Sequence, residues 1–160
     1  MANEINAVAG QLFGVPVGQV YTAGKGVVID NVHKTVRVDE TVLSSTATAV
    51  GVGVEIALSE NFTNFERIKI FAIRNPDNGQ GTWCNEYMVD STHAGINFIA
   101  PLLSTGSTNL IIDAFKGTLS GSKLTINVVT RKTFADTSFS TSSSAPVTIT
   151  QIVGINRISS

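Results

Sequence analysis

His33 and His93 are the only histidines of this 160-residue chain, so catalysis by a Ser/His/Asp arrangement must use one of them as its base. His93 lies in Asp90-Ser91-Thr92-His93-Ala94-Gly95, a run that holds all three residue types. Adjacent residues of an extended chain point to opposite faces, so nearness in sequence is not triad geometry. His93 therefore reads as a surface-loop or interface residue. Asp77, Asp90 and Asp113 have Asn and Ser neighbours suited to calcium, but no spacing matches an EF-hand loop or a glycine-aspartate repeat. The turn sequence Asn75-Pro76-Asp77-Asn78-Gly79 explains Asp77 better. Gly24-Lys25-Gly26 leads into a strand pattern, so no helix N-terminus stands behind it to bind phosphate. Trp83, Tyr87 and Phe98 could stack on the apolar face of a sugar, although aromatic residues of small β-domains more often build the core. Trp83 follows Asn78-Gly79-Gln80-Gly81 and is the best placed for exposure, and Trp83, Tyr87 and His93 are the candidate receptor contacts. No catalytic, cofactor or metal site follows from these residues, and no enzyme activity or cofactor is expected.

Composition narrows the classes further. Charged residues make up 14% of the chain against a usual share of about 25%, while Ser, Thr, Asn and Gly take their place. So little charge on one small domain fits a surface covered by neighbouring subunits. A formal net charge of -1 without a Lys/Arg cluster offers no track for phosphates, so nucleic acid is not an expected partner. No apolar run approaches the roughly 20 residues of a membrane helix, and Met1-Ala2-Asn3-Glu4 does not open a signal peptide. The expectation is a soluble product with no membrane partner. Cys84 is the only cysteine, so packing and assembly rather than an internal disulfide must supply stability.

The elements that would position these residues are strands. Residues 1–20 carry Gly10, Gly14, Pro16 and Gly18 and read as an extended arm, whose Leu12, Phe13, Val15 and Val17 need a docking surface. Val27 to Asp30 and Lys34 to Val38 flank an Asp30-Asn31 turn as a hairpin. Val50, Val52, Val54, Ile56 and Leu58 recur at period two, which predicts one strand. Its opposite face holds Gly51 and Gly53, which would permit close approach by a facing sheet or a symmetry mate. Phe65 to Arg74, Thr82 to Asp90, Gly95 to Leu103, Asn109 to Phe115, Leu124 to Arg131 and Val147 to Ile158 supply further strands. Glu66, Arg67 and Lys69 are expected to pair across strands or subunits, or to form a solvated face. Phe139 to Ala145 is Ser/Thr-rich and reads as a surface connection, or alternatively as an exposed edge. About eight strands without an amphipathic helix predict an all-β fold, a jelly-roll-like β-sandwich.

The segment Tyr21 to Leu43 (YTAGKGVVIDNVHKTVRVDETVL) resembles one common in phage fibre proteins, where a Tyr-x-Ala-Gly-x-Gly turn leads into a strand, a hairpin and Asp-Glu-Thr. Leu58-Ser59-Glu60-Asn61-Phe62, Asn64 to Ile70, and the closing Ile149-Thr150-Gln151-Ile152-Val153-Gly154-Ile155 fit the same pattern. The resemblance implies an intertwined trimeric collar before a terminal sandwich: residues 1–20 as attachment arm, 21–44 as collar and 45–160 as head. Tyr21, Val27, Ile29, Val36, Gly51 and Gly53 then belong to the trimer interface. Leu12, Phe13, Val15 and Val17 attach the chain to a major capsid or tail protein. The start only about 20 residues before the collar favours a small virion component, a head fibre, capsid decoration or tail-tip adaptor, over a long tail fibre; the expected role is a head fibre or capsid decoration on the virion surface, made in the host bacterial cytoplasm. The alternatives are a short tail fibre or tip that binds a host-surface glycan, a cellular carbohydrate-binding module and, least supported, a hydrolase.

Overall fold

In the computed structural model, residues 27–30, 35–74, 81–89, 92, 94–103, 109–135 and 138–158 are described. The chain divides into two units, Met1–Val38 and Asp39–Ser160. The first contains an antiparallel hairpin of β1 (Val27–Asp30) and β2 (Thr35–Val38), in which Ile29 faces Val36 across the ladder. Tyr21, the arm residues Leu12, Phe13, Val15 and Val17, and His93 lie outside the described residues.

The second unit is all-β, with two antiparallel sheets in the arrangement of a β-sandwich. Its strands are β3 (Glu40–Ser44), β4 (Thr48–Ala49), β5 (Glu55–Ala57), β6 (Phe65–Arg74), β7 (Thr82–Met88), β8 (Gly95–Leu103), β9 (Leu110–Ser120), β10 (Lys123–Ala135), β11 (Ser138–Ser142) and β12 (Val147–Arg157). One sheet runs β3-β12-β6-β7, with β4 also on β12; the other runs β11-β10-β9-β8, with β5 also on β10. The segment Glu40–Ser44, read as the end of the collar, forms β3 and pairs with β12 in the larger unit.

Alternation decides the faces. In β6, Ile68, Ile70 and Ala72 point inward and are fully buried, while Arg67 and Lys69 point outward. They meet Ile149 and Ile152 of β12, Phe98 of β8, Phe115 of β9 and Leu124 and Ile126 of β10 in one core. The Phe98 and Phe115 rings stack 4.9 Å apart and nearly parallel, a geometry worth about 0.5–1.5 kcal/mol beyond the area buried.

Two expectations change. The stretch from Val50 to Leu58 is not one strand: β4 pairs with β12, the chain turns at Gly51–Val54, and β5 pairs with β10 in the opposite sheet. Gly53 adopts φ +82°, a left-handed conformation that favours glycine, and its amide donates to Ile126 O at 2.8 Å. A turn and a sheet-to-sheet crossing thus account for the glycines placed at the trimer interface; open space surrounds a Cβ built at Gly53. The strand count also differs, with ten strands among the described residues of this unit. Four of them, β8 to β11, follow one another as a meander within one sheet, unlike the paired Greek keys of a jelly roll.

Candidate assembly surface

The two outward faces of the sandwich differ. On the β3-β12-β6-β7 sheet, Lys69 Nζ reaches Glu40 Oε1 at 2.9 Å across β12, and Arg67 Nη1 reaches Glu86 Oε1 at 2.5 Å on β7. The Glu40 hydrogen bond raises the pKa of Lys69 above its ordinary value. The cross-strand reading of Arg67 and Lys69 therefore holds within one chain. Their aliphatic stems lie on the same face as Val153 and Ile155, which are buried outside the central core.

The outward face of the other sheet carries Ile99 of β8, Leu110 of β9, Val128 and Phe134 of β10, and Phe139 of β11, all exposed. Register groups three of them, since Phe134 lies opposite both Leu110 and Phe139, whereas Ile99 lies opposite Ala114 and Val128 opposite Lys116. The Phe134 and Phe139 rings sit 5.0 Å apart and tilted. Phe139 is 58% exposed although paired. Lys116 and Lys132 stand on this face, and the exposed Lys123–Glu55 pair, 2.7 Å apart, lies on it where β5 joins β10. An apolar face of this kind normally marks an interaction surface.

Of the sequence-derived receptor contacts, Trp83 and Tyr87 are half-buried. Trp83 and Tyr87 pack against the core from β7, with Asn85 between them. Trp83 Nε1 donates to Pro101 O at 3.2 Å and Tyr87 OH to Asn97 O at 3.0 Å. The Asn85 amide, turned to satisfy both its ends, accepts from Ile99 N at 3.2 Å and donates to Cys84 O at 3.2 Å. Three alternate side chains of β7 thus close the seam to the edge of β8, where Pro101 lacks an N–H to leave unpaired. Burial pushes the Tyr87 phenol up to about 12. Tyr87→Phe is expected to lower stability by about 0.5–1.5 kcal/mol, measured by urea unfolding, because Asn97 O loses its donor.

A second polar group pins the end of β12. Arg157 donates to both oxygens of Glu60, at 2.6 and 2.7 Å, and its guanidinium carbon sits 4.7 Å from the centre of the Phe65 ring. Asn64 Nδ2 adds a hydrogen bond to Glu60 at 3.1 Å. The Arg157 bond first, then Asn64, pull the Glu60 carboxyl down to about 2. Its pKa is depressed on folding, so its contribution is complete above the ordinary 4.5 and is lost as pH falls towards 2. Glu60→Gln should therefore be less stable than the native chain at pH 7, with the difference vanishing near the folded value of about 2 in paired denaturation curves.

Sequence reasoning missed a buried ionic group. Asp113 Oδ1 and Oδ2 accept from Arg131 Nε and Nη2 at 2.7 and 3.0 Å, and Arg74 Nε lies 3.5 Å from Asp113 Oδ2. Asp113 and Arg74 are almost fully buried. Burial first, then the nearby Arg131, lower the Arg74 pKa, and Asp113 opposes them. The Asp113 considered for calcium is thus held by arginine. Among the described residues no group of three His, Cys, Asp or Glu side chains could hold a metal ion, and no helix is long and apolar enough to cross a membrane.

No family model matches this chain, and no curated protein matches it. The two faces are therefore compared on their chemistry alone. Both faces carry ion pairs within the chain; one also exposes Val42, Ile73 and Met88, and the other exposes the Leu110, Phe134 and Phe139 row.

Proposed function

We propose that this protein is a non-enzymatic bacteriophage structural protein, a homotrimeric head fibre or capsid decoration displayed on the virion surface. The observation that carries the reading is the uncovered Leu110, Phe134 and Phe139 row on the outward face of the β11-β10-β9-β8 sheet, with Ile99 and Val128 exposed elsewhere on it. Burial of such a face against other subunits is favourable by about 25 cal/mol per Å² of apolar area. The low charged fraction of 14% supports the same reading, as does the resemblance of residues 21–70 to phage fibre segments. In this proposal the β1–β2 hairpin forms the three-fold collar and the arm, with Leu12, Phe13, Val15 and Val17, docks on a capsid or tail protein. The displayed sandwich then stabilises the shell or aids host adhesion.

Light scattering of the full chain tests assembly: the expected mass is three chains of 16.9 kDa or a multiple of three. A stable monomer or dimer overturns the trimer. Imaging of virions carrying a tagged copy tests the place. Density on the capsid shell supports the head-fibre reading, and density at the tail replaces it with a tail fibre or tip.

A further inference from the structure

Three sides of the sandwich have guarded strand edges. The β8 edge is met by Trp83, Asn85 and Tyr87 through the backbone of Pro101, Ile99 and Asn97. On the opposite side, Ser59 N donates to Leu43 O, and Leu58 N to Ser122 O, both at 2.8 Å, so the chain after β5 ties β3 to the β9–β10 turn. The Glu40–Lys69 and Arg67–Glu86 pairs put charge beside β3 and on β7. Charge, proline and covering side chains are the usual means by which a sheet edge avoids pairing with another chain.

β11 has none of them. It pairs with β10 on one side, and no strand lies beyond it among the described residues. Ser138-Phe139-Ser140-Thr141-Ser142 contains no charge and no proline. Its register with β10 runs from Ala135↔Ser138 to Arg131↔Ser142 without a bulge, and all five residues are exposed. Such a strand presents a straight row of backbone donors and acceptors.

We propose that β11 pairs antiparallel with β11 of a second copy about a two-fold axis at Ser140, joining two five-stranded sheets into one. The strand's own sequence selects a second copy over a different partner. With Ser140 opposite Ser140 of the second copy, Ser138 meets Ser142 and Phe139 meets Thr141, so all five residues overlap and no charges meet. An aromatic residue opposite a β-branched one is a favourable cross-strand pair. This even register also keeps both outward faces on one side, so the Leu110, Phe134 and Phe139 row of one copy runs on to Thr141, Lys132 and Ile112 of the other. A charged partner finds no countercharge on the edge. The contact is separate from the three-fold association proposed above, and where both operate it links one trimer to the next.

The axis gives a direct test. Opposed residues of an antiparallel pair have Cα atoms about 4.5–5.5 Å apart, within the range of a disulfide. In the full chain carrying Cys84→Ser and Ser140→Cys, oxidation by diamide, which takes up the two electrons and two protons released, is expected to give a covalent dimer on a non-reducing gel. A chain with Cys84→Ser and Ser120→Cys, altered at the exposed end of β9, should give almost none. Equal yields from the two chains, with strand circular dichroism intact in both, overturn the proposal. Phe139→Glu with Thr141→Glu sets carboxylates opposite one another across the axis, while Lys132 beside Thr141 supports the altered strand within its own chain. This variant should halve the light-scattering mass of the native assembly. An unchanged mass overturns the edge contact, whereas three copies in both chains with no disulfide overturns it and leaves the trimer standing.

Discussion

Replacing Asp113 by alanine is expected to lower the unfolding free energy by about 3–5 kcal/mol, the usual cost of breaking a buried ion pair by removing one partner. The carboxylate sits on β9 and is 1% exposed, with Arg131 beside it on β10 and Arg74 reaching it from β6 of the opposite sheet. Its removal leaves both guanidinium groups where desolvation already disfavours the charge of Arg74. Asp113→Asn keeps the shape and an acceptor, so its loss should be smaller. Replacing Arg74, Asp113 and Arg131 together by apolar residues of similar volume should recover much of the stability, because the desolvation cost disappears with the charges. Urea unfolding followed by Trp83 fluorescence reads all three variants. Lys123→Ala is the contrast: its bond to Glu55 joins two well-exposed side chains and should cost less than about 1 kcal/mol. A similar small loss at Asp113 would show that the buried group contributes no more than a surface pair.

Gly154→Ala should be the next most damaging change, at about 1–3 kcal/mol for an overpacked core. A Cβ at this position of β12 would lie 2.5 to 2.7 Å from Cγ, Cδ1 and Cδ2 of Phe65. These atoms belong to the fixed end of a fully buried ring, so the whole ring must move. Arg157 lies over that ring and also holds Glu60, so displacement should weaken the pair as well. A shift of the Glu60 titration towards the ordinary carboxylate value, read by NMR in Gly154→Ala, checks that linkage. Gly95→Ala adds its methyl group where nothing lies within 4 Å, and should change stability by no more than about 0.5 kcal/mol. Equal effects at Gly154 and Gly95 would show that Phe65 adapts at little cost.

Much of the sandwich was legible from alternation. Phe65 to Arg74 and Gly95 to Leu103 have the bounds expected from their inward Ile, Ala and Phe residues. The reading failed where two structures share one pattern. Valines alternating with glycines describe a strand with one bare face, and equally a turn whose Gly53 takes a positive φ while the chain changes sheets. Only the partners on β10 and β12 distinguish them. Arg74 ends a strand, where a charge ordinarily meets solvent, and its burial depends on Asp113 from the opposite sheet. The exposed apolar row was hidden for a related reason. Phe134 and Phe139 belong to different strands, and the hydroxyl-rich text after Phe139 resembles a connection until pairing with β10 makes it an edge. The glycine-rich approach to Trp83 suggests exposure, but Pro101 O supplies an internal partner that local sequence does not reveal.

The position of β12 bears on when the protein can form. This strand lies between β3 and β6, pairing Ile155 with both Glu40 and Arg67. The meander from β8 to β11 can assemble from neighbours as it leaves the ribosome, but the opposing sheet lacks its central strand until residues 147–157 emerge. Pairings between such distant parts of a chain slow folding. A nascent chain halted before Val147 exposes the buried faces of β3 and β6 to solvent, which makes it a substrate for chaperones or proteases, and admits only chains that carry β12 to the folded pool.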